Sequence, residues 1–289
     1  TDAASLDQIV TCTSNSITFT ELNLSGQPVK PLYTFEIPGD VKIVSAEFKK
    51  TKPRPHQLLV LLSDGSSIIF ELDYKPPFPT PFPKSIPADQ NAFGRYFGDD
   101  LYALNSNLCY VSHDTAHTWI LDTLGIGGLT LYDVDMDCNQ RAYVVTSKGL
   151  YKQEQTSTLW TKNTNYTGSF CIVVYVDRME RIWAASYSTL YVRNNFGTSF
   201  SNAPAGLSGT IKAISTDHLG NVFVITQDRV YRSLGGTQPL TRIDAGIASQ
   251  IAEPISFNTF YSVSADSVLC IGSSSGLFTF NDFGATWYC

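Results

Sequence analysis

Two pairs of carboxylates stand close enough in the 289-residue sequence to share acid–base work: Asp99 with Asp100, and Asp133 with Asp135. Two carboxyl groups can divide the roles of general acid and general base. Strand ends and turns supply such pairs as ordinary structural residues, so spacing alone assigns them no reaction. His113 and His117 are four residues apart, the spacing at which a helix sets two imidazoles on one metal. They sit in a stretch rich in Ser, Thr and Asp that reads as a loop, which removes the helix argument. His56 falls in a proline-rich insertion and His218 in a turn. Gly-Ile-Gly-Gly (125–128) lacks the lysine and the following helix of a phosphate loop. No cofactor signature is present. An enzymatic role stays open, with the balance against it.

The elements that must position any site repeat along the chain. One aromatic recurs within a short strand-like phrase: Phe19, Phe70, Tyr110, Tyr151, Tyr191, Tyr231 and Phe278, at intervals of 51, 40, 41, 40, 40 and 47 residues. Asp137, Asp177 and Asp217 keep the same step of 40, and each opens a turn before an apolar strand. Aspartate suits such a turn because its side chain bonds the backbone ahead of it. Nine residues after the aromatics come Trp119, Trp160, Phe200, Leu240 and Trp287. A unit of about 40 residues and four short strands is the signature of a β-propeller blade. The expected fold is therefore all-β: a single seven-bladed β-propeller over residues 1–289, with four antiparallel strands per blade. The blades fall at about 1–40, 41–88, 89–128, 129–168, 169–209, 210–249 and 250–289.

Three insertions lengthen the early units: 23–31, the basic and proline-rich 49–57, and 74–84. Proline fixes φ and removes a donor, so 74–84 is expected as an extended surface loop. Either of the last two could engage a partner. The first unit has residues for only three clear strands, and no spare strand at the other end completes it. A disulfide between Cys12 and Cys289 is one way to close the ring, although six cysteines allow 15 pairings.

Three outer phrases carry a family resemblance. "SHDTAHTW" (112–119) and "NDFGATW" (281–287) resemble the Asp box, or BNR repeat, of sialidase-like propellers, and "RNNFGTSF" (193–200) is similar to a decayed copy. The resemblance implies that Asp114, Asn195 and Asp282 close the loop by accepting hydrogen bonds. It implies that Gly197 and Gly284 supply positive φ, and that Trp119 and Trp287 cover the hairpin. The chain departs from the pattern with Ala116 in place of Gly and Phe280 in place of Ser. The Arg-Ile-Pro phrase of sialidases is absent, so the resemblance points to a non-catalytic member, with the phrase as a fold staple.

Propellers commonly bind ligands where the innermost strands begin. Counting back from the aligned turns places Tyr132, Lys212 and Tyr261 there, with Arg95 and Tyr96 at the matching place in the third unit. Aromatic faces, cations and hydroxyls around one rim suit a glycan or a small planar molecule. Net charge is −6 and charged residues make up 16%. That excludes the basic face a nucleic-acid binder needs, and no apolar run reaches the length of a membrane span. The sequons at Asn23 and Asn165, together with a chain that starts at Thr1, fit a secreted glycoprotein. The expected role is a secreted, non-catalytic, lectin-like protein that holds a small molecule or glycan. The alternatives are an extracellular protein-interaction propeller and, third, a glycan-processing enzyme.

Overall fold

A computed structural model describes the chain outside residues 1–7, 23–27, 49–56, 73–77, 83–85, 87–92, 98–99, 195–196, 204, 218, 245–256, 263–268, 274–275 and 281–289. The strands belong to two compact units, Thr1–Val134 with Gln153–Thr161, and Asp135–Lys152 with Lys162–Cys289.

In the first unit, β1 (Gln8–Cys12), β2 (Ser16–Leu22) and β3 (Pro28–Glu36) pair antiparallel in that order. Next come β4 (Ile43–Phe48), β5 (Gln57–Leu62), β6 (Ser67–Glu71) and β7 (Phe78–Phe82), again paired in sequence. A third sheet holds β8 (Phe93–Phe97), β9 (Asp100–Asn105), β10 (Leu108–Ser112) and β11 (Ile120–Leu121). The fourth sheet has residues assigned to each unit: β12 (Leu131–Met136), β13 (Ala142–Thr146), β14 (Gly149–Gln153) and β15 (Thr161–Lys162). The second unit adds β16 (Val173–Val176), β17 (Ile182–Ala185), β18 (Leu190–Arg193) and β19 (Ser201–Asn202). It continues with β20 (Ile211–Thr216), β21 (Val222–Thr226), β22 (Val230–Ser233) and β23 (Thr241–Arg242). It ends with β24 (Phe257–Ser262), β25 (Leu269–Ser273) and β26 (Gly276–Phe280). Among the described residues the strands thus form seven sheets, five of four strands and two of three.

Burial follows position in the sheet. Second strands such as β13 (AYVVT), β17 (IWAA) and β21 (VFVIT) are buried at every residue. Continuous apolar runs of this kind belong to strands covered on both faces. The third strand β18 alternates between buried and half-buried, and the two-residue fourth strands are exposed. Cores form between consecutive sheets. In the first unit Phe19 and Phe70, both fully buried, meet with ring centroids 5.3 Å apart. In the second, Tyr143, Val174, Ile182 and Phe200 share one cluster, and Trp183, Val224, Tyr231 and Leu240 another.

The recurring plate position holds the outer loops. Trp160, Phe200 and Leu240 are buried, and Trp119 is partly buried against its cluster. Burying such a side chain stabilises by about 1.5–3 kcal/mol, more than the roughly 0.5–1.5 kcal/mol of a backbone hydrogen bond. That bond is nevertheless repeated too. The Trp160 N–H donates to the Leu124 carbonyl (2.9 Å), Phe200 to Asn165 (3.3 Å) and Leu240 to Ala205 (2.9 Å). Gly125 and Gly206, both at positive φ, stand where a Cβ would collide with the carbonyls of Trp160 and Leu240.

Three expectations change. Part of the 74–84 insertion is not loop but β7, with Pro79 opposite Phe70; an outermost strand tolerates proline because its free side needs no donor. The 23–31 insertion likewise contributes the start of β3. The expected Cys12–Cys289 disulfide is corrected at Cys12, which is a free thiol, as are Cys109, Cys138 and Cys171. Cys109 and Cys171 are fully buried, where a thiol packs as a small apolar group. Cys289 lies outside the described residues.

Candidate functional site

The most repeated polar arrangement is the aspartate turn between first and second strands of the fourth, fifth and sixth sheets. Asp177 Oδ1 accepts the N–H groups of Met179 and Arg181, each at 2.9 Å. Its Oδ2 accepts Arg181 Nε at 2.6 Å and Trp183 Nε1 at 2.9 Å. Asp137 repeats this with the N–H groups of Asn139 and Arg141, Arg141 Nε and the Tyr143 hydroxyl. Asp217 does so with the N–H groups of Leu219 and Asn221 and with Asn221 Nδ2. The third turn residue takes positive φ each time: Gln140 (57°), Glu180 (61°) and Gly220 (79°).

These turns are also linked in series. Glu180 Oε2 accepts the Cys138 N–H at 3.0 Å. Arg181, 8% exposed, donates to the carbonyls of Gly220 (2.8 Å) and Gly235 (2.6 Å) and stacks 5.2 Å from the Trp183 ring centroid. A buried carboxylate with every lone pair engaged holds a hairpin; it has no vacant position for a substrate proton.

The Ser112–Trp119 loop uses the same chemistry at the surface. Asp114 Oδ1 accepts the Thr118 N–H (2.8 Å) and the Ser112 hydroxyl (2.8 Å), and Oδ2 accepts the Thr118 hydroxyl (2.7 Å). The Thr118 bonds, with smaller help from Ser112, hold the Asp114 carboxyl down to about 2. Thr115 and Ala116 take φ of 58° and 67°, and the Ala116 methyl is buried in the adjacent core. Gly197, the matching residue of the decayed copy, donates its N–H to the Asn194 carbonyl at 2.9 Å. Asn195 and the whole third copy, with Asp282, Gly284 and Trp287, lie outside the described residues.

The acid pairs resolve into structural contacts. Asp135 Oδ2 accepts the Val176 N–H at 2.7 Å, while Oδ1 accepts the Met136 N–H at 2.9 Å. Asp133 Oδ1 accepts the Val134 N–H. Asp100 pairs with His113 Nδ1 at 2.8 Å, and Asp99 lies outside the described residues. His117 Nδ1 meets the Asp114 carbonyl oxygen. Asp122 is raised by burial, against the bonds from Gln153 Nε2 to both its oxygens (2.9 and 3.0 Å).

The five predicted rim residues all lie on first strands, but not at one level. Leu131 and Ile211 each donate to a hairpin carbonyl of the preceding sheet, Ser106 and Tyr187. Tyr132 and Lys212 therefore hold equivalent places, and each is exposed directly after a buried residue. Lys212 is the extra residue of a β-bulge between Ile211 and Ala213, a device that re-aims a side chain. Aligned on the recurring aromatics, Arg95 opposite Tyr102 and Tyr261 opposite Cys270 match Ser215 opposite Phe223, and Tyr96 matches Thr216. In the last sheet the residue matching Lys212 is Asn258, also at a register shift; the matching place in the third sheet lies outside the described residues. The miscount arose because the hairpins of those two sheets differ in length from the Asp217 turn. Of the sequons, Asn165 is exposed in a turn, and Asn23 lies outside the described residues.

No protein-family model matches the sequence, and no curated protein sequence matches it. The fold does have relatives among solved structures. YCF48 bound to D1 peptide is similar with a TM-score of 0.62 at 12% identity, over 96% of this chain and 97% of that one. The extracellular domain of the one-component system BT4673 from B. thetaiotaomicron gives 0.67 at 15% identity; 96% of this chain spans 38% of that one. The WD40 β-propeller domain of Doa1 gives 0.68 at 12% identity, over 93% and 87%. The fold is that of the β-propellers.

Proposed function

We propose that this chain is a non-catalytic binding protein, a seven-bladed propeller that holds a small molecule or glycan on first-strand side chains. The observation that carries the reading is the pair Tyr132 and Lys212. Each is exposed, and the residue before each, Leu131 or Ile211, is buried and donates to a hairpin carbonyl of the preceding sheet. A phenol can stack on a sugar or planar ring and an ammonium can orient an acidic or hydroxylated ligand. The non-catalytic part rests on the described aspartates, whose oxygens accept structural hydrogen bonds. The Ser112–Trp119 loop fits the staple role of an Asp box. The exposed Asn165 fits a secreted glycoprotein.

A thermal-shift screen of glycans and small molecules tests this. Ligand at about a hundredfold excess over Kd adds roughly 2.7 kcal/mol, enough to raise the melting midpoint by several degrees. The expected hit loses its shift with Tyr132→Ala or with Lys212→Ala. A hit that neither variant weakens, or that is turned over, contradicts the reading. A second reading, a propeller that binds proteins or peptides, is favoured by one named neighbour, YCF48, which is bound to a peptide.

A further inference from the structure

The two-residue outer strands differ in one respect. Their residues read Ile120-Leu121, Thr161-Lys162, Ser201-Asn202 and Thr241-Arg242, all exposed. In each sheet one bond fixes the alternation just beyond the strand: Asp122 N–H to Cys109, Asn163 to Leu150, Ala203 to Leu190 and Ile243 to Val230. Antiparallel ladders alternate, so the preceding residue turns its N–H and C=O away from the third strand, toward the open edge. That residue is Leu121, Lys162, Asn202 or Arg242. Open edges are templates for another strand, and proteins blunt them with charge or proline. Lys162 and Arg242 supply charge, Asn202 a polar amide, and β7 has Pro79 and Pro81. The β11 edge has none of these.

Apolar exposure gathers at the same place. Ile120 is 56% exposed, Leu121 55%, Leu124 61% and Leu159 45%. The Trp160–Leu124 backbone bond holds Leu159 beside Leu124. Ile120 and Leu121 face opposite sides of the sheet, so the four side chains present on the order of 400 Å² over both faces, within the range of ordinary surface patches. A stable protein pair needs about 800 Å² from each partner, so the patch is too small for a second copy of this chain and suits one short strand.

We propose that the β11 edge docks an extended peptide segment of a partner protein. The segment adds as a fifth strand through the backbone of Leu121, with apolar side chains on both of its faces to meet Ile120 on one side of the sheet and Leu121 on the other. This surface is distinct from the Tyr132 and Lys212 positions, and the inference does not rest on them.

The test pans a linear random-peptide library against the whole chain and against Leu121→Lys. Lysine already occupies the matching place at 162, so the variant is expected to fold, checked by an unchanged unfolding midpoint. The expected result is enrichment of peptides with consecutive apolar residues, bound about tenfold or more weakly by Leu121→Lys. N-methylation of a paired residue of the winning peptide abolishes binding, and N-methylation of its neighbour does not. Three results overturn the proposal: no peptide preferring the unmodified chain, equal binding by Leu121→Lys, or a concentration-dependent dimer that Leu121→Lys abolishes.

Discussion

Asp177 and Asp114 close turns with the same group and opposite surroundings. Asp177 is buried, and two of its four donors are the side chains of Arg181 and Trp183, themselves buried. Asp114 is exposed, and its donors all come from its own loop. The first joins a turn to the packing of its sheet and, through Arg181, to the following sheet. The second shapes one loop. A carboxylate's contribution is set by what else would be left buried without it, not by its count of hydrogen bonds.

Removing partners sharpens that contrast. Asp177→Ala leaves the Arg181 charge buried and the Trp183 N–H unpaired, and is expected to cost about 3–5 kcal/mol in urea unfolding. A loss below about 1 kcal/mol would show that Arg181 finds other partners. Asp217→Ala strands only backbone N–H groups and the neutral Asn221 amide, so about 1–3 kcal/mol is expected in the same measurement.

Asp114→Ala should lower the unfolding midpoint less than Asp217→Ala, and its effect should depend on acid. The folded carboxyl lies at about 2, below an ordinary value near 4. Its bonds therefore contribute in full above about pH 4 and are lost as pH falls through about 2. The gap between parent and variant should be flat above pH 4 and close on acidification. A gap that widens in acid would refute the assignment. The smallest effect is a gain: Gln140→Gly relieves an exposed residue at φ 57°, and should stabilise by about 0.5–1 kcal/mol, as the third turn already does with Gly220. An unchanged midpoint would mean the left-handed position carries no strain.

The repeat was legible because propeller blades bury the same strand positions at a fixed step. The 40-residue spacing of Asp137, Asp177 and Asp217 announced three turns that then shared both backbone bonds to Oδ1 and one side-chain bond to Oδ2, with a fourth donor only where Tyr143 or Trp183 supplies it. The partners across sheets were not legible. Nothing in "DRME" says that Arg181 reaches two carbonyls about 40 and 54 residues away. The level of a first-strand residue was legible only where the turn length held. Tyr132 and Lys212 keep their level because their hairpins match, while Arg95 and Tyr261 slide along their strands because theirs do not. The β11 edge was visible in principle, since Leu121, Lys162, Asn202 and Arg242 stand 40 or 41 apart. Recognising it requires knowing which backbone groups face outward.

The most direct test of the binding account is the mass of protein purified from its natural source, measured native and then denatured. The account predicts a discrete excess in the native mass that denaturation releases, and that excess identifies the size of the bound small molecule. Equal masses would contradict a retained ligand on the first-strand side chains.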